Sequence, residues 1–349
     1  MARIYDVAKL ARVSTATVSM VVNGRDKVDP KTRRRVQAAI ERLNYQPNLY
    51  ASNLAKGRTR LLGLIVSDIV NPFFAEITQS VRQEAHAHGY EVFLASTQFS
   101  GQELAGAVKR MMGMRVAGLA IMTTEMSADV LAQLRKNRTP AVFEDVGTVS
   151  ETISNIRIDY EGGIFKAVKY LIDLGHKSLI FVRTEPDGSP QHSSFLSIAA
   201  RTNAFQKAVN QFKMQGVQAE IVTCTGAGPK AGQQAIMKAL DLPKKFTAAM
   251  AIADPVALGV LRGLQLRGVK VPGEISVVSF DNSYLCEYLT PSLTSIDIPR
   301  GKLGKMVVEC LLGNIEDKHP GRELLLETNL VVRESATRLM RSKTQPSQR

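Results

Sequence analysis

From Leu61 onward, short apolar runs alternate with longer amphipathic stretches, and this alternation constrains the fold more than any other feature of the sequence. Such runs are typical of strands buried on both faces, as in a parallel sheet covered by helices. They predict eight strands, at residues 61–66, 91–95, 118–122, 141–143, 178–182, 221–223, 248–252 and 275–280. Helices are predicted between them, for example at residues 74–88, 162–174, 195–215, 255–267 and 300–312. A compact sheet usually holds fewer strands, so we predict an α/β core of two doubly wound parallel-sheet subdomains with a cleft between them.

The residues before this core have a different pattern. Residues 5–11 and 15–22 form two short helical runs separated by three residues, and Ser14 is placed to accept a hydrogen bond from the free amides of the second run. This spacing predicts a helix-turn-helix. The residues predicted to pack between the helices are Val7, Ala8, Leu10, Ala11, Val13, Val18, Val21 and Val22. Those predicted to remain outside, where short side chains suit base edges, are Thr15, Ala16, Thr17, Ser19 and Met20.

A third helix is predicted to begin at Asp29-Pro30 and to run to about Leu43, with Asn44 as a left-handed cap. Its exposed surface is basic, because it carries Lys31, Arg33, Arg34, Arg35 and Arg42. A phosphate backbone would attract this surface. An ordinary small helical bundle is the alternative interpretation of these three helices.

The net charge of the chain is concentrated in this N-terminal part. Residues 1–60 contain 13 lysines and arginines against four acidic residues, which accounts for +9 of the total of +13. The remaining 289 residues therefore carry only +4. A basic charge confined to one module indicates a polyanionic partner, and double-stranded DNA fits a helix-turn-helix.

Length and composition exclude several protein classes. A chain of 349 residues with 44% hydrophobic content is large enough for two to three domains with their own cores. The N-terminus lacks the apolar segment of a signal peptide, and no apolar run approaches the ~20 residues that span a bilayer. Cys224, Cys286 and Cys310 form neither a CxxC pair nor a disulfide framework, so they are predicted to be core thiols. We expect a cytoplasmic protein without a membrane partner.

The segments YDVAKLARVSTATVSMVVN and NYQPNLYASNLAKGRT resemble the LacI/GalR family of bacterial transcription regulators, and the resemblance covers nearly the whole chain. Supporting motifs follow in the same order as in the family: NPFF at 71–74, LGH at 174–176, VP at 271–272, SFDN at 279–282, PSLT at 291–294 and VRES at 332–335. The resemblance implies a DNA-binding headpiece joined to a core like that of periplasmic binding proteins. It further implies three crossings of the chain between the two lobes.

The domain boundaries expected from this resemblance are as follows. Residues 1–46 form the headpiece, 47–60 the hinge helix and linker, 61–340 the effector-binding and dimerisation core, and 341–349 a tail. Within the core, one lobe takes residues 61–160 and 291–322, and the other takes 161–290 and 323–340.

The resemblance also predicts the residues that contact DNA. In the headpiece they are Tyr5, Ser14, Thr15, Ala16, Thr17, Ser19, Met20, Asn23 and Arg33. In the hinge they are Leu54, matched to a leucine that enters the minor groove, and Lys56. The hinge helix would order on DNA beside its copy from a second subunit, and a plain linker is the alternative. Two departures stand out, because Met20 replaces the usual arginine and Arg12 replaces the usual turn glycine.

Ligands of open parallel sheets bind beyond the carboxyl ends of the strands, and Asp281 follows such a strand. It matches an aspartate that contacts effectors in the family, as Arg201 matches an arginine with the same role. A structural salt bridge is the alternative for this pair, and ordinary core packing is the alternative for the two phenylalanines. The complete set of predicted effector contacts is Phe73, Phe74, Tyr160, Arg201, Asp254 and Asp281.

No catalytic constellation is evident in the sequence. The stretch from Gly226 to Gly232 lacks the Gly-Lys-Ser/Thr of a phosphate loop and is better interpreted as a loop that begins a helix. No Cys/His set has metal-ligand spacing, so no catalytic residue, metal or cofactor is predicted. We expect a homodimeric repressor that reads a near-palindromic operator and responds to a sugar or related polar compound. The alternatives are a solute-binding or enzymatic α/β protein with an incidental helical module, or a regulator controlled by a protein partner.

Overall fold

The computed structural model describes residues 2–22, 28–46, 59–123, 125, 128–145, 149–185, 196–226, 228–316 and 318–339. Contacts divide the chain into two compact units, Met1–Thr59 and Arg60–Arg349. Among the helices of the described ranges, none has both the length and the apolar character needed to cross a membrane.

The first unit contains three helices, α1 (Ile4–Ala11), α2 (Thr15–Val22) and α3 (Pro30–Arg42). The predicted caps are present: Asp29 accepts from the amides of Lys31 at 3.0 Å and Thr32 at 2.9 Å, and Asn44 has a φ of 42°. The small core consists of Val7, Ala8, Ala11, Val18, Val21, Val28, Val36 and Ala39, with Val13 and Val22 packed partly against it. Leu10 was predicted in this core, but 41% of its surface is exposed, because it faces away from α2 and α3.

The second unit has two six-stranded sheets within the described residues. In the first, the order is β11-β5-β4-β3-β1-β2, and all pairs are parallel. In the second, the order is β12-β10-β9-β8-β6-β7, and only the β10–β12 pair is antiparallel. The strands are β1 (Leu61–Val66), β2 (Glu91–Ser96), β3 (Gly118–Met122), β4 (Ala141–Glu144), β5 (Ile153–Ile158), β6 (Ser178–Glu185), β7 (Gln218–Thr225), β8 (Ala248–Ala251), β9 (Ser276–Asp281), β10 (Thr294–Asp297), β11 (Glu323–Leu326) and β12 (Asn329–Val331). Five consecutive neighbours in each sheet have the doubly wound order, so the predicted fold class is confirmed.

The helices cover these sheets. They are α4 (Pro72–Ala87), α5 (Gly101–Gly113), α6 (Ala128–Lys136), α7 (Tyr160–Asp173), α8 (Leu196–Gln211), α9 (Gly228–Leu240), α10 (Asp254–Leu266), the short α11 (Leu285–Tyr288) and α12 (Arg300–Ile315), with a 3₁₀ turn at Lys213–Gln215. The glycine-rich stretch at 226–232 does lead into a helix, α9, as predicted. All three cysteines are buried free thiols, as predicted.

Four strands were missed by the sequence pattern: β5, β10, β11 and β12. Polar residues lie within β5 and β10, whereas β11 and β12 have only four and three residues. In β10, both Thr294 and Ser295 are fully buried. Their hydroxyls are satisfied by contacts from distant segments: Thr294 Oγ1 accepts from the Arg333 amide at 2.9 Å, and Ser295 Oγ donates to Asp254 Oδ1 at 2.8 Å. Burial of a polar strand depends on such partners, which lie far away in the sequence.

The strand pairing corrects two predicted lobe boundaries. Residues 294–297, expected in the first lobe, form β10 beside β9 in the second sheet. Residues 323–326, expected in the second lobe, form β11 beside β5 in the first sheet. Each strand extends the sheet that its neighbour already forms, so the chain crosses later than predicted at both places. Between the two crossings, α12 packs on α4 of the first lobe.

Candidate functional site

The exposed surface of the headpiece is built around the start of α2. Ser14 Oγ accepts from the Thr17 amide at 3.1 Å and lies 2.9 Å from Thr17 Oγ1, so both hydroxyls take part in the predicted cap. Thr15 and Ala16, next to them, are exposed. The turn before α2 contains Arg12 with φ 53° and ψ 51°, a left-handed conformation at the C-cap of α1. An arginine therefore adopts the conformation for which a glycine would be favoured, at a cost of ~1 kcal/mol.

The other predicted DNA contacts occupy different positions on this unit. Tyr5 is 66% exposed, whereas Ser19 and Arg33 are half-buried. Met20 was predicted to remain outside, but it is half-buried and packs partly against the small core. Asn23, Leu54 and Lys56 lie outside the described residues. On α3, the side chains of Lys31, Arg34, Arg35 and Arg42 are exposed, which leaves the basic surface that the sequence predicted.

A cleft of about 580 Å³ lies in the second unit, beyond the carboxyl ends of strands from both sheets. Its volume is that of a small-molecule site, and its position is the topological switch point of a doubly wound sheet. Helix ends deliver side chains to it: Asn71 accepts from the Phe73 amide at 3.1 Å and so begins α4 at the edge of the cleft. All six predicted effector residues line the cleft: Phe73, Phe74, Tyr160, Arg201, Asp254 and Asp281.

Arg201 and Asp281 lie together in this cleft. Arg201 Nη2 is 3.4 Å from Asp281 Oδ1, and Nη1 donates to the Ile252 carbonyl at 2.7 Å. The guanidinium also lies 5.0 Å from the Tyr160 ring centroid and 4.3 Å from that of Phe280. The pair is nevertheless incompletely satisfied, since Arg201 Nε and Asp281 Oδ1 are buried without a hydrogen-bond partner in the described structure.

Burial raises the pKa of Asp281 to about 7, although Arg201 acts in the opposite direction. Burial would lower the pKa of Arg201, but Asp281 and Tyr160 raise it above its ordinary value. Arg201 Nε and Asp281 Oδ1 thus retain hydrogen-bonding capacity inside the cleft, beside the ion pair that joins the two side chains.

Four further carboxyl groups line the cleft and were not predicted, and two of them are adjacent: Glu144 at the end of β4 and Asp145 after it. Asp145 Oδ1 accepts from the Ile158 amide at 2.8 Å, whereas Oδ2 is buried without a partner. Burial, together with Asp145, raises the pKa of Glu144 to about 8. The signal that could have found them is their position, because acidic residues directly after an apolar strand lie at the same sheet edge as other ligand-binding residues.

Asp254 lines the cleft, but its carboxylate serves an internal network. Oδ2 accepts from the Ser283 amide at 2.6 Å and from Cys286 Sγ at 3.1 Å, while Oδ1 accepts from Ser295 Oγ at 2.8 Å. These contacts tie the start of α10 to β10 and to the loop after β9. Among the three charged residues of the predicted set, Arg201, Asp254 and Asp281, Asp254 therefore has the least hydrogen-bonding capacity left for a ligand.

The backbone of the cleft is strained at four non-glycine residues. Gln98, Phe99, Asp145 and Asp281 all line it and have φ values of 51°, 62°, 56° and 112°. Each such conformation costs ~1 to 3 kcal/mol and persists only where the surroundings impose it. Strain of this kind is typical of functional sites.

Arg300 connects the cleft to the first lobe at one of the chain crossings. It donates from Nε to Glu76 Oε2 at 3.1 Å, and also to the backbone carbonyls of Asp281 and of Asn282, the latter at 2.6 Å. Glu76 Oε1 in turn accepts from the Tyr284 amide at 2.9 Å. Glu76 lies on α4, which begins with the cleft residues Phe73 and Phe74. The position of Asp281 is thus joined to a helix of the other lobe.

Two family models match the chain. Residues 3–48 match the model described as bacterial regulatory proteins, lacI family, and residues 168–336 match a periplasmic binding protein-like domain. A relative from Aliivibrio salmonicida (strain LFI1238), named HTH-type transcriptional repressor PurR, is 33% identical over 97% of this chain and 100% of its own length. The chain belongs to the LacI family of bacterial regulatory proteins. As a member of the LacI family, it is a DNA-binding regulator of transcription.

Other relatives agree with this assignment. Catabolite control protein A from Priestia megaterium is 33% identical over 88% of this chain and 91% of its own length. Among solved structures, the lac repressor dimer bound to operator and the anti-inducer ONPF matches with a TM-score of 0.82 and 29% identity, over 96% of this chain and 99% of that one. The family resemblance inferred from the motifs is confirmed.

Proposed function

We propose that this LacI-family protein is a homodimeric repressor whose operator affinity is controlled by a small polar metabolite bound in the cleft. The observation that carries the proposal is the incompletely satisfied Arg201–Asp281 pair in a cleft of ligand size. A solved relative was bound to both an operator and an anti-inducer, which supports the same division of labour here. The named relatives are repressors and a control protein. We therefore infer that this protein acts by binding DNA and not as an enzyme, and that it does so in the cytoplasm.

For the headpiece, we propose that Thr15 and Ala16 contact base edges, because both are exposed at the start of α2. Their neighbours Ser14 and Thr17 bind each other as part of the cap, so they contribute mainly by orienting the helix. The remaining proposed contacts are Tyr5, Ser19, Met20, Asn23, Arg33, Leu54 and Lys56, with residues 47–60 as the hinge. A headpiece of this size buries too little surface for useful specificity alone, which favours a two-fold dimer on a near-palindromic operator.

For the cleft, we propose that Arg201 and Asp281 hold the effector directly, with Phe73, Phe74 and Tyr160 around it. Arg201 Nε offers a donor, and Asp281 Oδ1 offers an acceptor, neither of which has a hydrogen-bond partner in the described structure. Together they can satisfy the donors and acceptors of a polar ligand.

The decisive experiment combines a thermal-shift screen of metabolites with an operator-binding assay. A ligand at ~100 times its Kd adds ~2.7 kcal/mol to stability, so a true effector should give a clear shift. It should also change operator affinity, and by linkage the operator should change ligand affinity by the same factor. The Asp281→Asn variant should lose the response but retain operator binding without ligand. A compound that binds in the cleft and leaves operator affinity unchanged would contradict the proposal.

The DNA half of the proposal is tested by the salt dependence of operator binding. Each phosphate contact contributes ~0.9 to the slope of log affinity against log salt concentration. Arg34→Ala should therefore reduce that slope by ~0.9 and weaken all DNA sequences alike. The matched control is Lys302→Ala, which removes an exposed positive charge from α12 of the other unit and should leave the slope unchanged.

A further inference from the structure

The cleft has an unusual balance of charge for a site that must hold a polar metabolite. Among its described lining residues, one is basic, Arg201, and six are acidic: Asp68, Glu144, Asp145, Glu185, Asp254 and Asp281. An excess of carboxyl groups in a partly enclosed cavity creates a negative potential that favours cations over neutral molecules. The question is which of these carboxyl groups remain available for a ligand.

Three of the six are engaged elsewhere. Asp254 is used by its internal network with Ser283, Cys286 and Ser295. Asp68 Oδ1 accepts from the Val70 amide at 2.8 Å, and Glu185 pairs with Arg183. The remaining three are Glu144, Asp145 and Asp281, which share the single guanidinium of Arg201.

Arg201 alone cannot neutralise the buried Glu144 and Asp281 together with the half-buried Asp145. Two further arginines act on this group, Arg157 on Asp145 and Arg300 on Asp281, but they are themselves paired with Glu323 and Glu76. Glu144 is 9% exposed and Asp281 is 2% exposed, so water compensates little of their charge. Asp145 Oδ2 lacks a hydrogen-bond partner in the described structure, and Asp281 Oδ1 has only its 3.4 Å ion pair with Arg201. Burial is the main cause of the raised pKa values of Glu144, to about 8, and Asp281, to about 7, and the neighbouring arginines offset it only in part.

The apolar part of the lining also suits a cation. Four aromatic side chains line the cleft: Phe73, Phe74, Phe99 and Tyr160. Phe73 and Phe74 form an edge-to-face pair with centroids 5.3 Å apart. Aromatic rings attract ammonium groups through their quadrupole, and they do so more strongly in a desolvated site.

We propose that the effector carries an amino group that is positively charged at neutral pH, and that this group binds among Glu144, Asp145 and Asp281. This inference rests on the proposed function, because it specifies the chemical class of the ligand for the same cleft. Arg201 holds a polar or carboxyl part of the same molecule. Amino sugars, diamines and amino acids with a second amine belong to this class.

The test is a thermal-shift panel of small amines at millimolar concentration, each with its hydroxyl analogue and a carboxylate analogue. One set compares glucosamine with glucose and glucuronate. A second set includes the diamine cadaverine and its hydroxyl analogue pentanediol. We expect at least one amine to raise the melting temperature of the full-length protein by ~2 °C or more, and its hydroxyl analogue to raise it less. A panel in which no amine stabilises the protein, or in which neutral or anionic members do so equally well, overturns the proposal.

For the amine that stabilises best, Glu144→Gln should weaken binding about tenfold or more, because a charge-assisted hydrogen bond becomes a neutral one. Asp145→Asn provides a second variant. The matched control is Glu151→Gln, an exposed carboxylate that pairs with Arg138 and should leave affinity unchanged. Unchanged affinity in both cleft variants would overturn the assignment of the amine to these carboxyl groups.

Calorimetry in buffers of different ionisation heat gives an independent readout. Binding of an ammonium group should release protons at neutral pH, because it stabilises the ionised forms of Glu144 and Asp281 beside Asp145 and Arg201. A neutral ligand should release none. The two proposals fail in different ways. A neutral effector that changes operator affinity would overturn only the proposed class of ligand. An amine that binds without changing operator affinity would overturn only the proposed control of DNA binding by a ligand.

Discussion

The headpiece and the cleft are built by opposite means. In the headpiece, the contacts that shape the surface join residues two or three positions apart, such as Ser14 with Thr17 and Asp29 with Thr32. In the cleft, Arg201 meets Asp281, 80 residues away, and the Glu76–Arg300 contact spans 224 residues. Local chemistry therefore shapes the headpiece surface, whereas the cleft depends on contacts between segments that are distant in the sequence.

The two units also differ in their cores. Among the described residues of the headpiece, the buried core positions are all valines and alanines, whereas the fully buried residues of the second unit include Phe143, Phe181, Phe205 and Phe280. A small domain buries little apolar surface and is marginally stable. We therefore expect headpiece function to be sensitive to single changes that leave the second unit folded.

The largest expected effect is that of Val18→Asp, which places a charge in the centre of the headpiece core, where Val18 is 0% exposed. An unpaired buried charge should unfold so small a unit and reduce operator affinity by ~100-fold or more. The thermal transition of the second unit should remain in place. Anisotropy titration with operator DNA and calorimetry measure the two effects.

Leu10→Asp is the matched control for that variant, because it adds the same charge at a position that is 41% exposed. It should weaken operator binding only a few-fold. A lowered transition of the second unit in Val18→Asp would contradict independent folding of the two units.

In the second unit, we expect Gly259→Ala to cost ~3 kcal/mol of unfolding free energy. A Cβ there would lie 1.8 Å from the Pro229 carbonyl oxygen, so α9 and α10 could not approach as they do. Gly301→Ala is the control, since nothing lies within 4 Å of a Cβ at that position on α12, and it should stabilise the unit by ~0.5 to 1 kcal/mol. Equal effects of the two variants in urea unfolding would show that this close helix packing contributes nothing to stability.

A smaller effect is expected from Arg300→Lys, which retains the charge but cannot reproduce the set of hydrogen bonds to Glu76 and to the carbonyls of Asp281 and Asn282. We expect the coupling between ligand and operator to fall by ~1 kcal/mol, with ligand affinity little changed. The measurement is the ratio of operator Kd values with and without saturating ligand. Arg157→Lys, at an exposed ion pair with Glu323, is the control, and an equal loss of coupling in both variants would contradict the expected role of Arg300.

The smallest effect concerns pH. His176 lies between Thr247 Oγ1 and the Thr337 carbonyl, each 3.0 Å away, and burial lowers its pKa. The folded state therefore binds fewer protons than the unfolded state. The stability from this group is complete above the unfolded pKa of ~6.5 and is lost as pH falls below it, by at most ~1.4 kcal/mol per pH unit.

Asp281 and Glu144 act in the opposite direction, because their raised pKa values add stability as pH falls through about 7 and about 8. The contribution of His176 is therefore measured as the difference in unfolding free energy between wild type and His176→Gln, determined by urea unfolding at a series of pH values. That difference in unfolding free energy should shrink on acidification, and it should appear in the second unit, which contains His176. Residues 1–59 contain no histidine, so the transition of the headpiece should not show it. A pH-independent difference would contradict this account.

The helices and strands that could be predicted from the sequence are those whose signals lie within the element. Residues 15–22 and 61–66 were predicted with the bounds that the structure shows for α2 and β1, because a capping serine and an uninterrupted apolar run act within one element. The concentration of positive charge in the headpiece and the family motifs could likewise be recognised directly from the sequence. Even the departure at Arg12 was visible, although the structure was needed to show that the arginine accepts a positive φ.

The sequence did not predict which sheet each polar strand joins or which carboxyl groups line the same cleft, and both depend on the tertiary structure. Residues 294–297 are too polar to resemble a buried strand, and they become one because β9 and the segment after β12 supply partners for their hydroxyls and backbone. Asp254 lines the cleft, as predicted, but only the structure shows that its oxygens also accept from Ser283, Cys286 and Ser295, and that the unpredicted Glu144 lines the same cleft as Arg201. The free energy of a buried polar group depends on partners brought from distant parts of the chain, and local sequence does not specify those partners.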